Sequence, residues 1–360
     1  MIKVSYPDLV SFCEEVFKKM GCNEKDSSLA AKVLLSADKR GIDSHGVARL
    51  SGYCRLWESD RIKTNPKIKI VHETPSTATL DADKALGLVS APKGMRLAIE
   101  KAKNLGSGWV CVKNSNHFGI AGYHSMLALE EGMIGISMTN ASPLVAPTFS
   151  KERLLGTNPI SVAIPALTEP PFVADFATTT TANGKLEILA RKNEKIPFGW
   201  AQDAHGESSD DPHAVKEGGA LLPLGGAREN GGHKGYILGS IVDIFSGVFS
   251  GSGFGPWAPP FVSFLPMPDT SHGEGLGHFF GAIRTDAFRP KEEFLKEMDY
   301  WIKRFRNAEF IDPENPVQIP GDIERITEKE RLNSGIPMLE NVYEELENLA
   351  EKFKILFKIR

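Results

Sequence analysis

Residues 109–138 read WVCVKNSNHFGIAGYHSMLALEEGMIGISM. Trp109-Val110-Cys111-Val112 is a short apolar run of β-favouring residues, which predicts a strand. Asn114-Ser115-Asn116-His117-Phe118-Gly119 follows as a polar turn. Gly122 to Glu131 then reads as a helix, and Ile134 to Met138 returns to strand texture. Strands alternating with helices bury their apolar faces against each other in an α/β layer. Polar residues at the carboxyl end of a strand are where such layers form ligand sites. The same six residues also read as an Asn-rich turn with a capping role.

Working outward, Ile68 to Val71 and Thr77 to Leu80 look like strands before this unit, and Met95 to Leu105 like a helix. After it, Ser161 to Ile164 and Phe172 to Phe176 add two strands. The residues between Gly184 and Gly232 are rich in Gly, Pro and charge and predict loops with short elements. Ile237 to Phe249 predicts a buried helix, and the Gly-, Pro- and Ser-dense stretch from Gly251 to Gly277 a long loop. The opening is different. Leu9, Phe12, Cys13, Val16, Phe17 and Met20 repeat at three and four, one face of a helix that Gly21 can end. Asn23 and Asp26 can cap a second helix, stopped near Gly41, and a third runs through Ala48, Leu50 and Tyr53. Amphipathic helices return at Lys291 to Arg306, Ile323 to Ser334 and Met338 to Phe353.

The 360 residues are more than one simple core needs, so about two domains are expected. The formal charge is −4, from 42 basic and 46 acidic residues, with no polybasic block. Nothing therefore points to nucleic acid or an anionic membrane surface. No stretch approaches the roughly 20 uninterrupted apolar residues of a membrane span. Cys13, Cys22, Cys54 and Cys111 form no Cys-x-x-Cys pair, and their sparseness fits a reducing compartment. A cytoplasmic protein is the expectation.

Two segments carry candidate chemistry. Asp43-Ser44-His45-Gly46 with Arg49 sets a hydroxyl and a histidine at a helix start, with an arginine four residues on. A histidine near neutral pKa can exchange a proton with a carbonyl oxygen, and an arginine can hold a carboxylate through two parallel hydrogen bonds. The plainer reading is a helix N-cap with a surface arginine. The second segment is the turn that contains His117. Further polar stretches follow strands in the same way: Thr139-Asn140, Gly156-Thr157-Asn158-Pro159, and Asp175 through Thr181. Gly231-Gly232-His233-Lys234-Gly235 combines a Gly-rich turn, a cation and a helix start, which suits phosphate and equally suits a plain turn. There is no Gly-x-Gly-x-x-Gly between a strand and a helix, no Walker loop, no Gly-x-Ser-x-Gly and no His-Glu-x-x-His. The nine histidines show no metal-ligand spacing.

Taken in order, these segments resemble the type-2 malate/L-lactate dehydrogenase family. The resemblance rests on Asp43-Ser44-His45-Gly46 with Arg49, Ser115 to Gly119, Leu155 to Pro159, Asp175 with Ala177-Thr178, Gly231 to Gly235 and Pro320-Gly321-Asp322. The family usually has glutamate where Asp322 stands, and often glycines where Phe149 and Ser150 stand. The resemblance implies an α/β fold: a mixed-sheet cofactor domain of non-Rossmann topology, 67–284, and a helical domain built from both chain ends, 1–66 with 285–360. It implies NAD or NADP as cofactor, a small 2-hydroxy or 2-oxo acid as substrate, and a homodimer. Malate or L-lactate is the first expectation. Ureidoglycolate, sulfolactate and cyclic imino acids are alternatives within the family.

By the same resemblance, His45 is an acid/base group with Ser44 and Arg49 orienting it, and His117 is the rival for that role. Tyr53, Thr157 and Asn158 line the substrate pocket. Cofactor contacts fall to His117, Phe118, Gly119, Ile120, Ala121, Asn140, Asp175, Phe176, Ala177, Lys185, His233, Lys234, Pro320, Gly321 and Asp322. Two readings from other classes compete: a hydrolase using Ser44 and His45, and a non-catalytic nucleotide-binding protein.

Overall fold

A computed structural model describes residues 2–270 and 272–358. The first two helices, α1 (Tyr6–Met20) and α2 (Glu24–Lys39), form where the spacing places them. Gly21 ends α1 in the left-handed conformation, and the Asn23 side chain accepts the Asp26 N–H to cap α2. Two single 3₁₀ turns, Asp43–His45 and Val47–Arg49, lead into α3 (Leu50–Glu58). Near the other chain end, α9 (Asp322–Ser334) packs on α2, and α10 (Glu340–Phe353) packs on α1 and α3. A short strand β1 (Ile2–Val4) pairs with β12 (Ile336–Met338), which joins the two ends of the chain.

The main sheet has seven strands in the order β2 (Lys69–Glu73), β3 (Thr77–Asp81), β4 (Ser107–Ser115), β11 (Leu276–Arg284), β5 (Met133–Thr139), β6 (Ile160–Ile164) and β7 (Phe172–Phe176). Only β3 and β4 pair in parallel; every other neighbour is antiparallel. The sheet is therefore mixed and not of Rossmann order. A small sheet of β8 (Ala201–Gln202), β9 (Ser208–Ser209) and β10 (Ala220–Leu221) lies within the Gly-rich segment, as does α6 (Asn183–Arg191). α4 (Gly87–Leu105) covers one face of the main sheet, where Val112 and Phe280 meet Gly94. α5 (Ala121–Met126) packs on β5 and β6, and its chain continues as a 3₁₀ turn to Glu131. One apolar cluster runs from α1–α3 through α4 to Val110 and Phe280 of the sheet.

Two expectations are corrected. The long loop ends earlier than expected, because β11 begins at Leu276 and becomes the sheet's central strand. Its residues Leu276 to Ala282 are buried without alternation, so no period of two marks them, and Gly277, His278 and Gly281 interrupt the apolar run. The helix expected to be buried from Ile237 starts earlier, as α7 (Gly232–Asp243), and continues through a π-helical turn at Ile244–Val248. Phe245 packs on Phe279 of β11, but Ile237, Ile241, Ile244, Val248 and Phe249 are exposed. Within one chain, the helix therefore presents an uncovered apolar face.

The centre of the sheet holds a buried polar chain. His278 Nδ1 lies 2.7 Å from Thr139 Oγ1 and Nε2 lies 2.8 Å from Ser115 Oγ, which in turn lies 2.7 Å from Ser90 Oγ. Phe118 stacks between His278 and His124. Both histidines are fully buried. Burial, joined for His278 by the nearby His124, lowers them from 6.5, to about 3 for His278 and about 4 for His124. A lowered histidine keeps the native ring neutral while the unfolded ring takes up a proton. The contribution of these two histidines to stability is thus full above about pH 6.5 and falls as pH drops through that value toward 4, against the opposite contribution of the buried Asp38 carboxyl. At about 1.4 kcal/mol for each pKa unit, the loss is several kcal/mol. Urea unfolding at pH 7 and pH 4.5 should show a clear drop in midpoint; His278→Gln should flatten that pH dependence.

Candidate active site

The break between the two 3₁₀ turns at Gly46 shapes the first candidate segment. Asp38, near the end of α2, is almost fully buried beneath it, and its carboxylate accepts the Val47 N–H at 2.8 Å. Burial pushes the Asp38 carboxyl up to about 8. Arg331 of α9 donates to the Asp38 carbonyl and to the Asp43 carboxylate, which fixes the segment from the other side. On this support Ser44 Oγ lies 2.9 Å from His45 Nδ1, and Arg49 folds back so that its Nε donates to Ser44 O at 2.6 Å.

The second segment arrives from β4. Asn116 donates its amide to the carbonyls of Arg61, Lys84 and Ala85, which pins the turn to the start of α4. His117 then faces the first segment. Its ring centroid lies 5.7 Å from that of His45, with the planes 26° apart. Tyr53 of α3 places its hydroxyl 2.7 Å from His117 Nδ1, and the Gly119 N–H points at the same nitrogen from 3.4 Å. Nδ1 is thus engaged within the protein, and Nε2 is the nitrogen left for a ligand. Burial first, then the Arg49 guanidinium, lowers His45 to about 4. Burial lowers His117 well below its usual value, helped by His45, Arg49 and His278. Both rings are neutral near pH 7.

A cavity of about 540 Å³ opens beside the cluster, lined by Ser44, Arg49, Gly184, Ile188 and Phe261 among others. Gly184, at the start of α6, lies against Ser44 and Arg49; a Cβ there would stand 3.2 Å from each. The tertiary structure thus joins Ser44, His45, Arg49, Tyr53 and His117, which the sequence holds in two separate stretches.

The other sequence candidates fall into distinct places. Asp175, at the end of β7, is open to solvent on one side while its Oδ2 accepts the Gly122 N–H at 2.6 Å. This ties β7 to the start of α5, next to Ile120 and Ala121, which are buried. Phe176 is exposed, and Ala177 half-buried. Pro320 O accepts the Val173 N–H, so Pro320 and Gly321 lie beside β7 as well. The Asp322 carboxylate is occupied by Arg306, Arg325 and the Ile319 N–H. Lys185 is exposed in the first turn of α6. Thr157 O accepts from Thr178.

Several side chains belong to the scaffold. Phe118 is a core residue, so a ligand can meet only its main chain. Asn140 donates to Gly253 O and accepts the Gly277 N–H, which locks the long loop to β11. Asn158 accepts the Ala141 N–H and donates to Gly239 O. His233 and Lys234 lie within the first turn of α7, because the helix begins at Gly232 and not at Ile237. His233 Nδ1 and Thr181 Oγ1 are buried polar atoms with no partner. Two residues were missed by sequence reasoning. Asp38 carries one legible signal, an acid on the buried face of α2; Phe261, in a Pro-rich loop, carries none.

Similarity to known proteins agrees with this arrangement. A family model described as malate/L-lactate dehydrogenase matches residues 4–347. The chain belongs to the malate/L-lactate dehydrogenase family. It is 44% identical to the malate dehydrogenase of Pyrococcus abyssi, over 98% of this chain and 95% of that one. It is 39% identical to the malate/(S)-sulfolactate dehydrogenase of Methanothermus fervidus, over 95% of each. The solved malate dehydrogenase of Pyrococcus horikoshii superposes with a TM-score of 0.88 at 40% identity, covering 98% of this chain and 96% of that one. Membership of this dehydrogenase family makes the chain an oxidoreductase, and the hydrolase reading of Ser44 and His45 falls away. The family's non-Rossmann sheet also accounts for the missing Gly-x-Gly-x-x-Gly.

Proposed function

We propose that this chain transfers a hydride between a nicotinamide cofactor and the C2 carbon of a small 2-hydroxy or 2-oxo acid, with malate the first substrate and L-lactate the next. The observation that carries the reading is the Tyr53–His117–His45–Ser44 array with Arg49 beside it. In this reading His117 is the acid/base residue. It is neutral near pH 7, and its Nδ1 is held by Tyr53. Base action at Nε2 uses the tautomer whose proton sits on Nδ1 and is donated to the Tyr53 oxygen at 2.7 Å, with the Gly119 N–H, at 3.4 Å, not bonded to that nitrogen. In the oxidation direction Nε2 then takes the substrate hydroxyl proton, and in reduction the imidazolium returns it. Arg49 holds the substrate carboxylate through its free guanidinium nitrogens, since only Nε is committed to Ser44 O. His45, paired with Ser44, orients the acid from the other side. Thr157 and Asn158 shape the pocket, Asn158 through the main chain that it ties together.

The residues present fit a dinucleotide. The buried His233 Nδ1, in the Gly-rich first turn of α7, and the Thr181 Oγ1 before α6 have no protein partner and could each meet a ligand. Asp175, with one oxygen free of the Gly122 N–H, suits a ribose hydroxyl. Lys185, His233 and Lys234 would hold phosphate charge, and the main chain of His117 to Ala121 would lie along the nicotinamide side. When bound, the nicotinamide supplies or accepts the hydride. Both NAD and NADP remain within this proposal.

The test is absorbance of the reduced nicotinamide, with NAD and NADP each offered malate, lactate, sulfolactate and ureidoglycolate. Turnover with malate is expected. Turnover confined to a cyclic imino acid would replace the substrate class with the family's imine chemistry, and no turnover with any of them would sink the hydride-transfer reading.

We also propose that two copies pair in solution, since the family resemblance implies a dimer and the apolar face of α7 needs cover. Light scattering should give twice the chain mass, and Ile241→Lys should lower it; a monomeric wild type would overturn the pairing. The four cysteines, all buried and unbridged, support placing the protein in a reducing cytoplasm.

A further inference from the structure

We propose that Phe261 is a positioning residue of the catalytic cluster: its ring covers one side of the half-buried His117 imidazole, beside Tyr53, and holds it in place. The inference rests on the reading of His117 as the acid/base residue and adds a component that neither local motif contains. Phe261 follows Pro259 and Pro260 in a stretch without regular structure, where side chains are ordinarily solvated. Its ring is nevertheless only 8% exposed. The ring centroid lies 4.7 Å from that of His117 and 5.3 Å from that of Tyr53.

Three other elements hold it there. The Phe261 N–H donates to Ser142 Oγ at 2.8 Å, and the Arg55 guanidinium of α3 donates to Phe261 O. Both main-chain groups of a loop residue are thus satisfied by side chains from elsewhere in the chain, which fixes the ring's direction. The third element is a gap. Gly52 of α3 faces the ring, and a Cβ at that position would stand 2.5 Å from it. An α-helix interior normally disfavours glycine by about 1 kcal/mol, so the missing methyl is a cost that this slot explains.

The chemical consequence concerns the His117 proton. The groups that face this imidazole are Tyr53, His45, Arg49, His278 and the Gly119 N–H. Arg49 carries a positive charge, the His45 and His278 rings compete with His117 for a proton, and among the described residues no carboxylate acts on the ring to favour the imidazolium. With Phe261 in place, the ring stays neutral and ready to accept the substrate proton. Opening this wall to water lowers the cost of charging it.

The experiment is histidine Cε1–H NMR of the cofactor-free protein against pH, with the His117 signal assigned by its loss in His117→Asn. Variants Phe261→Ala, Phe261→Leu and Gly52→Ala are compared, with circular dichroism checking each fold. In Phe261→Ala the His117 midpoint should rise by about one pH unit or more toward the free value. Phe261→Leu, which keeps an apolar cover, should retain the wild-type titration. Gly52→Ala, which displaces the ring, should follow Phe261→Ala. If Phe261→Ala does not fold, Gly52→Ala, which displaces the ring without deleting it, carries the same expectation. An unchanged His117 titration in folded Phe261→Ala would overturn the proposal, as would an equal shift in Phe261→Leu. The readout needs no substrate, so a failure of the hydride-transfer reading shows separately, as a wild type without turnover on any acid.

Discussion

His117→Ala should lower kcat with malate about 10²–10⁴-fold, the usual cost of losing an acid/base group, with a much smaller change in KM. The expectation follows from how the ring is held. Tyr53 engages Nδ1 at 2.7 Å, and burial with the neighbouring Arg49 and His45 keeps the ring uncharged near neutral pH. Tyr53→Phe should cost less, because the ring would keep its packing against Phe261 and lose only its orienting hydrogen bond. His45→Ala decides between the two histidines. It pairs with the adjacent Ser44 beside Arg49, the proposed carboxylate holder, and meets His117 only through ring stacking, so its loss should raise KM more than it lowers kcat. Steady-state kinetics on the two variants check this. A large fall in kcat for His45→Ala with a near-normal His117→Ala would transfer the proton to His45.

Gly87→Ala is the change expected to damage fold and site together. Gly87 opens α4, and a Cβ there would stand 2.1 Å from Asn116 O and 2.4 Å from His117 O. These are main-chain atoms, and the turn that carries them cannot move aside cheaply. Asn116 is fastened by its amide to three carbonyls, and β4 before it is hydrogen-bonded to β3 and β11. Forcing a methyl between helix and turn should destabilise the protein by about 3 kcal/mol, at the upper end of overpacking costs. Any folded fraction should carry a displaced His117, with kcat lowered at least 10-fold, since small misplacements of a reacting group are expensive. Thermal melts and kinetics on the same preparation separate the two effects. A wild-type melting temperature with wild-type turnover would show that the contact is not limiting.

Much of this molecule was legible in the amino-acid sequence, for reasons that are local. The apolar stripe of α1, the Asn23 cap of α2 and the alternation around β5 and β6 write their own periods into short stretches of chain. The order of the Asp43–Arg49, Ser115–Gly119, Gly156–Pro159 and Gly231–Gly235 segments was enough to point to the family, because several ordered motifs are jointly specific. Strand β11 was not legible. It is buried on both sides at the sheet centre, so it has no alternation, and its glycines and histidine resemble the loop before it. Ile237 and Ile241 of α7 gave the opposite error: they predicted burial, although among the described residues of a single chain they stay exposed.

At the site, the sequence and its family resemblance named the candidate groups: Ser44, His45, Arg49, Tyr53 and His117. Only the tertiary structure decided how they are arranged. It brought His117 against Tyr53 across 64 residues, and it placed Asp38 under the His45 turn. It committed Asn140 and Asn158 to the main chain, and it swung Phe261 onto His117 from a Pro-rich loop. These contacts join segments far apart in the chain. Their energy comes from desolvation and from pairing buried polar groups, which depend on what surrounds a residue in space and leave no mark on its neighbours in sequence.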